Sequence, residues 1–168
     1  MKKLHGILIL LIIVIFISCQ TVPLTGRQQL ALIPSGDLLS MSFSSYDDFL
    51  SKHKAITGTD EALMVERVGR NIQHAIEKYF KENYIEDRLR GYEWEFKLVE
   101  GEAANAWCMP GGKVVVYTGI LPFTQDEAGL AVVMGHEIAH AVANHGDERM
   151  SQGLLAQMGG LALAVALS

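Results

Sequence analysis

Along this chain the apolar positions first recur at helical spacing and later switch to strict alternation. Leu39, Phe43, Tyr46 and Leu50 stand four, three and four residues apart, which predicts a helix starting after Ser35 or Asp37 and ending before Thr57-Gly58. Thr59-Asp60 opens a second helix, with Val65, Val68, Ile72, Ile76, Tyr79 and Phe80 on one face and Glu66, Arg70, Gln73 and Glu77 on the other. From Tyr92 the period becomes two. Tyr92, Trp94, Phe96 and Leu98 alternate with Glu93, Glu95 and Lys97, the pattern of a half-buried strand, and residues 114–118 form a more apolar second one. Between them Pro110-Gly111-Gly112 is a tight turn joining short antiparallel strands.

Residues 124–146 then return to helix. Thr124 and Glu127 fit a capping box, the interior is Ala-rich and apolar nearly all round as in a helix buried across a domain, and Gly146 is a natural stop. Helices, a small antiparallel sheet and a long helix make an α+β domain. The tail from Gly153 onward is almost wholly Ala, Leu, Gly and Met. It is shorter than the roughly 20 residues a bilayer crossing takes, and a core helix is preferred to a membrane-dipping hairpin.

The N-terminus divides differently. Residues 1–18 carry Lys2 and Lys3, then an apolar run to Ile17, and read as a secretory signal; residues 19–36 read as an extended tether with a turn at Thr25-Gly26-Arg27; residues 37–168 form the domain. A small residue followed by cysteine at the end of the run resembles a bacterial lipobox, which implies cleavage before Cys19 and lipid on its thiol. A soluble secreted protein and an uncleaved anchor are the alternatives. Loss of the leader removes two of the fourteen basic residues and no acidic one, taking the net charge from −5 to −7. No basic patch remains for nucleic acid. Cys108 is then the sole thiol, which excludes an intrachain disulfide, and it reads as a small core residue.

The chemistry lies in His136-Glu137-x-x-His140. Histidines four apart on a helix sit one turn above each other, so both imidazoles can grip one zinc ion, while Glu137 can take a proton from the water that the ion holds. The competing interpretation is a buried helix with two structural histidines. His53 and His74, in the amphipathic segments, read as solvated or structural.

The stretches NAWCMPGGKVVVYTGIL and EAGLAVVMGHEIAHAVANHGDERMSQ resemble the gluzincin metallopeptidases of family forty-eight, which include the CAAX prenyl proteases and bacterial envelope proteases. VPLTGRQQLALIP after the lipobox is similar to lipoprotein members of that group. The resemblance implies a zincin-like fold, one zinc per chain on His136 and His140, and Glu137 as catalytic base. It further implies an edge strand after Asn105 that takes up substrate peptide, with Asn105 either holding substrate or serving a turn. The family's third ligand is a glutamate on a later helix. Here Glu148 lies too close behind to swing back comfortably, His145 is turned away from the ligand face, and Glu102 is an upstream alternative. The expectation is a chain that stops before its third ligand.

The function expected from these residues is a zinc-dependent endopeptidase of the bacterial envelope. It is lipid-anchored at the periplasmic face of the outer membrane and cleaves misfolded or misassembled envelope proteins. A catalytically silent, client-binding lipoprotein of the same fold is the alternative, and zinc storage or sensing without chemistry is a third.

Overall fold

Both early helices form where the periodicity places them. The computed structural model describes residues 19–22 and 26–167, with side-chain surroundings for 21–22 and 26–157. The predicted signal at 1–18 lies outside the described residues. Two compact units result: Ser35–Ala143, and the described residues before Ser35 together with those from Asn144 onward.

In the larger unit, α1 (Ser35–Lys52) buries Leu38, Ser42 and Tyr46. Of the predicted stripe Tyr46 is fully buried and Leu39, Phe43 and Leu50 are half-buried, while Leu38 and Ser42 widen the buried face to one side. Ser42 Oγ donates to the carbonyl of Pro110 at 2.6 Å, a partner that no apolar periodicity reveals. After the two-residue strand β3 (Ala55–Ile56), α2 (Asp60–Glu82) is capped by Thr59, whose hydroxyl accepts from the Ala62 N–H at 3.2 Å. Gly69 on α2 admits the Phe96 ring, which would stand 2.3 Å from any added Cβ.

The strands are β4 (Glu95–Val99), β5 (Ala106–Met109) and β6 (Lys113–Tyr117), in the sheet order β3-β4-β6-β5. The predicted antiparallel sheet is in fact mixed, because β4 and β6 run parallel. The chain reverses once between β4 and β5 and again at the Pro110-Gly111-Gly112 turn, where both glycines have positive φ, so β6 regains the direction of β4. Trp107 and Met109 of β5 join Tyr46, Val99 and Val115 on the α1 side of the sheet. Ala106 and Cys108 face the other way, with Phe96, Leu98, Val114 and Val116, into the core shared with α2 and the long helix α4 (Glu127–Val142) that follows the single turn α3 (Leu121–Thr124). The result is three layers, with β5 at one edge of the sheet.

In the smaller unit, part of the expected tether is a hairpin. Strand β1 (Cys19–Thr21) pairs antiparallel with β2 (Gln28–Leu30), closed by Val22 N–H to Arg27 O at 2.8 Å and Gly26 N–H to Val22 O at 3.0 Å. Three-residue strands leave no alternation to read in the sequence. Helix α5 (His145–Leu167) belongs to the same unit. The predicted stop at Gly146 is not observed: α4 ends at Val142, Asn144 takes the left-handed conformation at φ 56°, and Gly146 falls in the first turn of α5. No described helix is long and apolar enough to cross a membrane.

Candidate metal centre on α4

The start of α4 differs from the expected capping box. Thr124 Oγ1 donates to Leu121 O at 3.1 Å inside α3, and the cap is Asp126, whose Oδ1 accepts from the Gly129 N–H at 2.8 Å. Glu127 pairs with Arg67 of α2 rather than reaching back to the helix start, and the guanidinium holds its carboxyl below the usual range. Gly129 is required there, since a Cβ would stand 2.1 Å from Thr124 O.

Burial then sets the rotation of the helix. Leu130, Met134 and Ile138 are fully enclosed, and Val142 nearly so. Each of the first three contributes about 1.5–3 kcal/mol relative to exposure, so this face cannot roll outward. His136 is consequently exposed, while Glu137 and His140 are half-buried.

The two imidazoles converge. His136 Nε2 and His140 Nε2 are 3.0 Å apart, with ring planes at 89° and centroids 4.5 Å apart. Two bare lone pairs at that separation repel, so a proton or a cation belongs between them. Two nitrogens on one tetrahedral zinc stand about 3.3 Å apart at the usual bond lengths, so the pair fits as two arms of a zinc site. Among the described residues no third His, Cys, Asp or Glu completes the set. Glu148 has both carboxylate oxygens on Arg27, at 2.7 and 2.6 Å, and Glu102 is exposed.

Burial first, and the Glu137 charge second, push the Cys108 thiol up to about 12, so the thiol is a protonated core group. Asn105 sits at the entrance to β5 with its side chain exposed; its N–H donates to Ala103 O at 2.9 Å, and its carbonyl accepts from Tyr117 N–H at 3.1 Å. This backbone pairing prolongs the β5–β6 ladder. His53, just past the end of α1, stacks on Phe49 with centroids 3.9 Å apart and Nδ1 2.9 Å from the Phe49 carbonyl oxygen.

Sequence reading missed Arg67, Asp126 and Arg27. Asp126 carried a legible signal, an Asp three residues before a glycine at a helix start. The two arginines carried none, because their partners are distant in the chain.

Residues 66–168 match the family described as Peptidase family M48. The mitochondrial metalloendopeptidase OMA1 of Arabidopsis thaliana is 40% identical over 83 residues, covering 49% of this chain and 17% of that protein. The human metalloendopeptidase OMA1 is 28% identical over 141 residues, 84% of this chain and 26% of its own length. The beta-barrel assembly-enhancing protease of Escherichia coli is 35% identical over 52 residues, 31% of this chain and 11% of its own. The chain thus spans about a quarter or less of these relatives.

Proposed function

The chain belongs to peptidase family M48, and from that premise we propose that it is a zinc-dependent endopeptidase of zincin-like fold, acting through His136, His140 and Glu137. The observation that carries this reading is the 3.0 Å approach of two imidazole nitrogens on the outward side of a helix whose other side is locked in the core. His136 and His140 would hold the zinc, which would supply Lewis acidity toward the scissile carbonyl and the attacking water. Glu137 takes the proton from the attacking water and returns it to the leaving amine. The edge strand β5 offers backbone groups to an extended substrate, which adds as a further strand with Asn105 at its end.

The reading extends to location and substrate. The leader pattern ending at Cys19 supports a lipid-anchored protein of the bacterial envelope, at the periplasmic face of the outer membrane, clearing misfolded or misassembled proteins. The test is Glu137→Gln: peptide cleavage is expected to fall by about 10²–10⁴-fold while zinc stays bound, and cleavage at the wild-type rate overturns the assignment.

One observation favours a second reading, a silent client-binding module: the described residues supply two ligands and not three. Elemental analysis separates the two, since stoichiometric zinc at micromolar concentration supports the enzyme and zinc-free protein supports the binder.

A further inference from the structure

The hairpin of the smaller unit is held to α5 at two points. The Arg27 guanidinium, just before β2, places one nitrogen on each carboxylate oxygen of Glu148, and this fork holds Glu148 below the usual carboxylate range. Just after β2, the Leu32 N–H donates to Ser151 Oγ at 2.9 Å, and that hydroxyl donates to Asp147 Oδ1 at 3.1 Å. The Asp147 carboxylate also takes a backbone hydrogen bond from Ile33. Between the two fastenings, Gln29 of β2 is enclosed.

The two fastenings differ in kind. Arg27 is half-exposed, where a single ion pair contributes little, although a bidentate fork does better than most. Asp147 and Ser151 are 4% and 0% exposed, so breaking their bonds strands buried polar atoms, the costly way to lose a hydrogen bond. A two-stranded hairpin with three residues a side is marginal in water, and the first turn of a helix leaves its N–H groups without helical acceptors.

We propose that residues 27–33 are a clasp through which the N-terminal hairpin and the first two turns of α5 hold each other in register. Asp147, Glu148 and Ser151 are positioning residues in it. The clasp gives the opening of β1, where Cys19 stands, a mechanical route to α5, the helix that follows the histidine-bearing α4 in the chain. If Cys19 carries the lipid proposed above, the position of the anchor is passed to that helix.

Amide hydrogen exchange on the full chain tests this. Arg27→Glu is expected to raise exchange about tenfold or more in two separate segments, residues 19–33 and 145–152, with peptides from α2, β4 and β6 unchanged. The charge-swapped pair Arg27→Glu with Glu148→Arg is expected to return both segments to within about twofold of wild type. Ser151→Ala, which leaves the Arg27 fork in place but strands the buried Asp147 carboxylate and the Leu32 N–H, is expected to loosen the same two segments at least as much. Loosening of only one segment, a uniform rise across the chain, or a swap that restores neither segment overturns the clasp. The measurement uses neither zinc nor cleavage, so its failure leaves the peptidase reading standing.

Discussion

Glu137 and Glu148 stand on successive helices, and their surroundings have little in common. Glu148 is held by both nitrogens of Arg27, and Glu127 at the start of α4 is likewise paired with Arg67. Among the described residues Glu137 has no ion-pair partner, and it is half-buried on α4. A carboxylate held by an arginine fork has its oxygens engaged, whereas one without an ion-pair partner leaves them free to meet a water. The same residue type is a fastener in one place and a candidate base in the other, and the partner makes the difference.

The largest expected effect breaks the comparison directly. Glu137→Gln should lower peptide cleavage by about 10²–10⁴-fold, whereas Glu148→Gln should stay within a few-fold of wild type while loosening residues 145–152; equal losses in both would erase the distinction. His140→Ala should abolish stoichiometric zinc, read by elemental analysis, because one imidazole is a weak hold on the ion.

Smaller effects sharpen it. Met134→Ala removes a fully buried side chain from the face that fixes the rotation of α4 and should cost about 2–5 kcal/mol in denaturant unfolding. Asp126→Ala removes the cap and should cost about 1 kcal/mol by the same measurement. The exposed Arg67–Glu127 pair should show the least. Since Glu127 titrates lower in the folded than in the unfolded protein, its contribution is present above the unfolded value and is lost as pH falls through the folded one. The thermal midpoints of wild type and Arg67→Gln should therefore converge in acid; a gap that persists there assigns the effect to something other than the ion pair.

Much of the larger unit was legible. The stripe from Val65 to Phe80 lies within α2, the alternation from Tyr92 to Leu98 is a strand only from Glu95 on, and the turn at Pro110-Gly111-Gly112 has the two positive-φ glycines it requires; each reports a local periodicity or backbone requirement. The errors share another cause. Parallel pairing of β4 and β6, the inward Ser42, the Asp126 cap in place of Thr124 and the hairpin at 19–30 all depend on which distant group is available as a partner.

Taken alone, the sequence determined that two imidazoles would lie one turn apart on a helix, because the 3.6-residue period makes i and i+4 neighbours whatever surrounds them. It also determined that a carboxylate would stand beside them. Only the tertiary structure decided which way that helix faces, since burial of Leu130, Met134 and Ile138 against the sheet turns His136 outward. Tertiary contacts also decided which glutamates are taken by arginines, because Arg27 and Arg67 reach Glu148 and Glu127 across separations that local rules do not span.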